Sequence, residues 1–407
     1  MEKSASSTAS ADRVGTEGAL TGLRILDLTR LLPGGFCTQL LADMGAEVIK
    51  IEQPGAGDYN RTFLPLAKHE SGSFLLLNRN KQSITLNLKE EAGKAIFRKL
   101  CVDADIVVEG FRPGVMDRLG LGYDALEGIN PRLIFCAISG FGQDGPYRLK
   151  TGHDLNYLAI AGALQLFGQR GQGPIVPGLS IADVGGGSLM AIAGILAAVI
   201  ARGRTGKGQF VDISMTDGAM SWLSYHGADY LFAGEEPRGG ETKFIGSAPC
   251  YNVYRCNDGK YIALGIIEEH FWHRFCDHAH MPELKADQWP SGPEADRQFH
   301  ILGEYFLRRS RDEWVDFFEP ADIPLSKVNN MEEAFSDPQL VHREMLMSVD
   351  HALEGNVPQL GFPIKLSSTP CKIATPPPQL GEHTEQVLAG LGYSKEDIEA
   401  FGKANVI

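Results

Sequence analysis

Residues 23–52 run LRILDLTRLLPGGFCTQLLADMGAEVIKIE, and the order of pieces in this stretch decides the fold class. Leu23–Leu28 is a short apolar run of the length that forms a buried strand. Pro33-Gly34-Gly35 interrupts it and reads as a turn, with a helix after it to about Met44. Glu47–Glu52 follows, a second strand carrying Val48, Ile49 and Ile51. Strand, helix and strand within about thirty residues form a βαβ unit, whose crossover joins parallel strands.

The same alternation continues outward. Ser83–Leu88, Asp105–Glu109, Leu133–Ile138 and Gln209–Ser214 read as further strands, with a helix over Glu90–Leu100 and an apolar helix over Ser188–Ile200. These make a large, doubly wound α/β domain over residues 20–232, with Asp217 to about Phe232 helical. Residues 233–246, rich in Gly and charge, read as a linker. Cys250–Cys256 and Lys260–Gly265 flank Asn257-Asp258-Gly259, a hairpin signal. With the mostly helical segment after it, the hairpin makes a smaller α+β domain over 247–335. Pro376-Pro377-Pro378 leads a C-terminal segment that ends in a helix over Lys395–Lys403.

Composition narrows the function. With 43% apolar and 22% charged residues, the 407-residue chain has the make-up of a soluble globular protein. A net charge of −13 argues against nucleic acid or an anionic membrane as partner, yet leaves room for a local basic pocket. The seven cysteines are scattered and never in CxxC spacing, so reduced thiols in a cytoplasmic protein are expected, and no zinc or other metal site. Residues 1–19, rich in Ser, Ala and Thr, read as a flexible tail without the apolar core of a signal peptide. The C-terminus is not a peroxisomal address. The apolar run after Gly187 is expected to fall short of the ~20 residues that cross a bilayer. Thr29–Gly35 lacks GxGxxG, and no GxxxxGK[ST] occurs, so neither NAD nor ATP has its usual cradle.

The chemistry points to Gly152–Arg204. Here Gly152-His153-Asp154-Leu155-Asn156-Tyr157 precedes Ala182-Asp183-Val184-Gly185-Gly186-Gly187 and the apolar helix. A carboxylate followed by glycines at a helix start sets an acid beside free, polarised N–H groups that a ligand can approach. That describes a candidate anion site, and equally a helix N-cap at Asp183. His153 by itself also fits a core or surface histidine, and Asp154 fits a turn carboxylate.

Four further motifs stand in order along the chain: Asn78-Arg79-Asn80-Lys81, Glu109-Gly110-Phe111-Arg112-Pro113-Gly114-Val115, Gly140-Phe141-Gly142-Gln143-Asp144-Gly145-Pro146, and Leu380-Gly381-Glu382-His383-Thr384-Glu385. With them the chain resembles the family III CoA-transferase superfamily of the CaiB/BaiF type, from about residue 20 over nearly its whole length. Within that superfamily, Gly152–Tyr157 resembles the α-methylacyl-CoA racemases, which place their catalytic histidine there. The transferases rely instead on an aspartate that becomes acylated, at the place of Asp183.

What the resemblance implies goes well beyond the pattern. It implies a Rossmann-like domain completed by residues 336–407, and a homodimer of two chains threaded as linked rings. It implies that His153 and Asp183 are the two bases that exchange the α-proton of a 2-methylacyl-CoA thioester through an enolate. Glu268, after a strand of the second domain, would orient His153, from the partner chain in the threaded dimer. The N–H groups of Gly185–Gly187 would hold the enolate oxygen. No cofactor is implied, since CoA enters with the acyl-CoA substrate. Contacts to CoA are implied at Leu86, Asn87, Leu88 and Lys89, at Gly110, Phe111, Arg112, Pro113, Gly114, Val115 and Arg118, and at Gly152, Asp154, Leu155, Asn156 and Tyr157, with Arg79 and Lys81 as looser candidates. The family often has an Arg before the proline after strand two, where this chain has Gln53, and Lys50 is the candidate to replace it. The rival activities are a CoA-transferase with Asp183 as nucleophile and a CoA-binding protein without catalysis.

Overall fold

The protein is described from a computed structural model over residues 18–407. The expected flexible tail therefore lies outside the described residues, apart from Gly18 and Ala19, next to which Leu20 N donates to the Met44 carbonyl.

The opening unit forms β1 (Arg24–Asp27), α1 (Leu31–Asp43) and β2 (Glu47–Glu52). The turn expected at Pro33-Gly34-Gly35 is instead the first turn of α1. Proline is tolerated there because its missing N–H would have no intrahelical acceptor. Gly34 is required by packing, since a Cβ would lie 2.1 Å from the Thr29 Cβ. After α2 (Gly72–Leu77), β3 spans Lys81–Thr85, ending sooner than expected. Leu86 still donates to the Glu52 carbonyl, but Asn87 N turns to the Val406 carbonyl, so residues 86–89 leave the sheet.

Next come α3 (Glu91–Val102), β4 (Ile106–Glu109), the short α4 (Val115–Arg118) and α5 (Tyr123–Glu127), β5 (Ile134–Ser139) and α6 (Asp154–Ile160). A π-helical run, Ala182–Leu189, continues into α7 (Met190–Thr205), then β6 (Phe210–Ser214) and α8 (Met215–Ser221). The six strands pair in parallel in the order β3-β2-β1-β4-β5-β6. All residues of β4 and β5 are buried, as helices on both faces of a parallel sheet demand.

The helix at Ala182–Thr205 is continuous over 24 residues, because the glycines do not break it, and by length and composition it could span a membrane. That departs from the short run expected. Its Ala191, Ile192, Ile195 and Ala198 are buried, and Arg202 pairs with Asp105 at 2.9 Å.

The chain divides into two compact units. The first contains residues to Tyr157, Ser180–Ser221 and Gln339–Ile407; the second contains Leu158–Leu179 and Trp222–Pro338. The stretch 20–232 is thus not continuous, since Leu158–Leu179 and the residues from Trp222 leave it. The helix expected to reach Phe232 ends at Ser221 and gives way to short 3-10 and π turns. Residues 233–246 are not a free linker either. Gly239 N donates to the Gln165 carbonyl at 3.1 Å, and a Cβ on Gly240 would sit 2.1 Å from Arg170 N. The same glycines that suggest a linker are here a demand of close backbone packing.

The second unit carries the hairpin β7 (Tyr251–Arg255) and β8 (Tyr261–Gly265), with Arg255 opposite Tyr261. Its helices are α9 (Glu269–His278), α10 (Gly292–Phe306) and α11 (Arg311–Phe318). A third strand, β9 (Leu325–Lys327), pairs with β8 and is too short to read from sequence. Trp272, Phe275, Phe306, Trp314 and Phe318 stack into its core.

After α12 (Met331–Ser336) the chain re-enters the first unit at Gln339, within α13 (Pro338–His342), and continues as the hairpin β10 (Leu346–His351) and β11 (Gly355–Leu360), then α14 (Thr384–Gly390) and α15 (Lys395–Lys403). This last segment covers the open edge of β3. His383 N donates to the Ser83 carbonyl at 2.9 Å, and Thr85 N to Thr384 Oγ1 at 3.0 Å. An unpaired strand edge invites other chains, so its closure here has a physical purpose.

Candidate active site

In open parallel sheets, ligands bind beyond the carboxyl ends of the strands where the strand order reverses. Here the reversal falls between β1 and β4. A cavity of about 490 Å3 opens there, lined by Thr29 and Arg30 after β1, Gly110 after β4, and His153 and Asp183.

Buried charge holds its floor. Asp27 accepts from Thr29 N at 2.9 Å, Thr38 Oγ1 at 2.7 Å and Lys81 Nζ at 3.2 Å. Lys50 pairs with Asp58 at 2.9 Å and donates to the Thr29 carbonyl. Burial pushes the Asp27 carboxyl up, but Lys81, Lys50 and the Thr29 and Thr38 hydroxyls outweigh it and hold the group at about 2.

His153 precedes α6, and the rest of its motif fixes it. Its carbonyl accepts from Asn156 N at 2.8 Å, and its N–H donates to Asn156 Oδ1 at 3.1 Å. The Tyr157 hydroxyl donates to the Gly152 carbonyl, and its ring packs edge-on against Phe141. Gly140 must be glycine, because a Cβ there would lie 2.4 Å from the Tyr157 ring. Asp154 Oδ1 accepts from Asp183 N at 2.9 Å, which ties the two motif stretches together.

Asp183 stands in the first turn of the helical run, whose N-cap is Ile181, so it is not the cap residue. Burial, then the nearby Asp154 charge, pushes its carboxyl up to about 6, with His153 partly opposing. The glycines after it do not form a free helix end. Gly186 and Gly187 are buried inside a run of i→i+5 hydrogen bonding. A Cβ on Gly186 would sit 2.5 Å from the Met215 carbonyl oxygen, so the glycines let α8 approach.

The residues expected to contact CoA divide into groups. Leu86, Asn87, Leu88, Lys89, Phe111 and Val115 line one groove of about 250 Å3 beside the cavity, together with Arg30 and Gln53. Gly110, Gly152 and Tyr157 line the cavity itself. Arg112 and Gly114 line a separate recess with Glu109, Pro113 is buried, and Arg118 and Leu155 are exposed and line neither cavity nor groove. Asp154 and Asn156 spend their side chains on the hydrogen bonds above. Three cations are out of reach of any ligand: Arg79 pairs with Asp43 at 2.7 Å, Lys81 with Asp27, and Lys50 with Asp58, all buried. Lys50 therefore cannot take the role that the resemblance implied for it beside Gln53.

Glu268 belongs to the second unit, as the residue before α9. Its side chain is exposed and has no ion-pair or hydrogen-bond partner among the described residues, while its carbonyl accepts from Phe271 N and Trp272 N. Two residues of the site had no motif to announce them. Asp27 anchors the turn after β1, and Arg30 lies at the seam of cavity and groove. Their one signal was position, just inside and just beyond the end of the first strand.

Residues 20–384 match the model of CoA-transferase family III. The chain is 36% identical to an acyl-CoA transferase of Fusarium pseudograminearum, over 96% of this chain and 89% of that one. It is 34% identical to the human alpha-methylacyl-CoA racemase, over 96% of this chain and 97% of the other. A crystal structure of a CaiB/BaiF family protein from Brucella suis superposes with a TM-score of 0.81 at 31% identity, covering 92% of this chain and all of that one.

Proposed function

The chain belongs to CoA-transferase family III, and from that premise we propose that it epimerises the α-carbon of 2-methylacyl-CoA thioesters. One observation carries the choice: a carboxyl raised to about 6 and a histidine line the same cavity. Deprotonating an acyl thioester at its α-carbon gives an enolate, and inversion needs a second acid on the opposite face. A carboxyl near 6 can both take and return a proton at neutral pH, whereas one at its ordinary value is too weak a base. Imidazole is the other side chain suited to that exchange. His153 and Asp183 take the two faces, and each switches between base and acid with direction.

Glu268 completes the proposal as the group that orients His153, delivered by the partner chain of a homodimer. Its unpartnered, exposed carboxylate supports that reading. No cofactor beyond the CoA of the substrate is required.

The transferase reading is favoured by the identity to the Fusarium acyl-CoA transferase. In that reaction the ionised Asp183 attacks the thioester carbonyl and CoA leaves as thiolate, giving a mixed anhydride. The thiolate then attacks the aspartyl carbonyl and releases the first acid. A second carboxylate takes CoA from the aspartyl thioester by the same two steps in reverse. One experiment separates the two. A single epimer of a 2-methylacyl-CoA, incubated in deuterated water without any acceptor acid, should gain deuterium at the α-carbon and approach an equal mixture of epimers. Transfer of CoA to an added free acid, with no deuterium gained, would sink the epimerase.

A further inference from the structure

The groove beside the catalytic cavity is ringed by strand ends, and a CoA thioester laid in it needs a cation for its phosphates. The cations buried around it are already committed. Lys50, Lys81, Arg61 and Arg79 hold carboxylates at 2.9, 3.2, 2.7 and 2.7 Å. Gln53, which lines the groove, is neutral. Arg30 differs from all of these. It lines both the cavity and the groove, is half-buried, and has no carboxylate within ion-pair distance among the described residues.

We infer that Arg30, at the end of β1, supplies a phosphate contact of the bound CoA. The geometry prepares it for an anion. The guanidinium carbon lies 4.9 Å from the Tyr59 ring centre and 5.3 Å from that of Phe111. Nη1 donates to the Tyr59 hydroxyl at 2.7 Å. Nε and Nη2 have no partner among the described residues, which leaves donors for a phosphate. Aromatic faces hold the planar group without neutralising it, so its charge stays available and little side-chain freedom is lost on binding. Asp27, the carboxylate nearest in sequence, is taken by Thr29 N and Lys81, and Asp58 by Lys50 and Leu31 N. Lys89, exposed on the same groove, adds a second positive charge.

The inference rests on acyl-CoA as the ligand but not on which reaction follows. Calorimetry with free CoA therefore tests it directly. Arg30→Gln should weaken CoA binding about ten- to hundredfold, the usual worth of a charged hydrogen bond. A thioester of pantetheine, which has no phosphate, should bind wild type and variant alike. Gln53→Arg added to Arg30→Gln should recover most of the lost affinity. Comparing CoA with dephospho-CoA and with phosphopantetheine tells whether the 3′-phosphate or the diphosphate is held. If Arg30→Gln does not fold, Arg30→Lys keeps the charge without the fork and should still lose several-fold for CoA alone. Unchanged CoA affinity, or equal loss for CoA and the pantetheine thioester, overturns the inference while leaving the epimerase reading intact. Wild-type protein that fails to bind CoA overturns both.

Discussion

Asp27 and Asp183 belong to the same compact unit, and their surroundings push them in opposite directions. Asp27 is fully buried, yet two lysines and two threonines hold it ionised, at about 2. Asp183 is less buried, has no lysine or arginine partner among the described residues, faces Asp154 with only His153 opposing, and stands at about 6. Burial raises both; what differs is whether a positive charge sits alongside. The paired aspartate fixes the turn from which the cavity is built. The unpaired one is left with a proton it can exchange. A perturbed carboxyl in a cavity is a stronger pointer to chemistry than a buried one held in an ion pair.

The largest expected effect tests that division of labour. Asp183→Ala and His153→Ala should each lower α-proton exchange by about 10²–10⁴-fold, the usual worth of a general acid–base group, with the fold intact by circular dichroism. A folded Asp183→Ala protein with full exchange would remove Asp183 from the mechanism. Asp27→Asn should do the reverse. It leaves Lys81 and Lys50 buried beside a neutral group, and the loss of unfolding free energy in urea should be about 3–5 kcal/mol. An Asp27→Asn protein as stable as wild type would mean that the network is not what holds the turn.

A smaller effect probes how Asp183 is held. Gly186→Ala puts a methyl against the Met215 carbonyl, 2.5 Å away, and backbone cannot swing aside as a flexible side chain could. About 1–3 kcal/mol of stability should be lost, read from the urea midpoint. If the three glycines were instead a free anion-binding end, the substitution would cost ligand affinity and little stability.

This glycine run also shows what the sequence could and could not disclose. Parallel strands buried on both faces read plainly from Val48-Ile49-Lys50-Ile51 and Ile106-Val107-Val108, because their apolar runs are short and evenly spaced. The hairpin at Asn257-Asp258-Gly259 was equally clear, since turn residues act locally. Glycine was the least legible residue. Gly185–Gly187 suggested an open helix end and Gly239–Gly240 a linker, whereas Gly186, Gly187, Gly239 and Gly240 serve contacts with residues distant in sequence. Lys50 and Lys81 suggested ligands because a lone lysine does not disclose the carboxylate it will meet after folding. His153 and Asp183 were legible as a pair only through the surrounding motifs, and Arg30, with no motif around it, had only its position after the first strand.

The smallest effect is one of pH, and here the two aspartates should respond with different slopes. Asp183 has a folded value, about 6, above its ordinary 3.8, so the folded state binds its proton more tightly than the unfolded chain does. Below about pH 4 both states are protonated and the group has no effect on stability. As pH rises toward 6 the folded protein is left with a carboxylate that prefers water, and stability falls. Asp183→Asn removes that cost. The variant should match wild type near pH 4 and gain stability up to about pH 6. Above that the gain should stay constant, on the order of 1 kcal/mol because water reaches the cavity. Asp27 has its value lowered from 3.8 to about 2, so its contribution is fully present above pH 4 and fades only as pH falls through 2. The loss in Asp27→Asn should therefore stay flat over pH 4–7, the window in which the Asp183→Asn gain develops. Urea midpoints for the three proteins across that window measure both slopes. A flat Asp183→Asn difference would mean that its carboxyl is not raised, and the argument for proton exchange at neutral pH would lose its support.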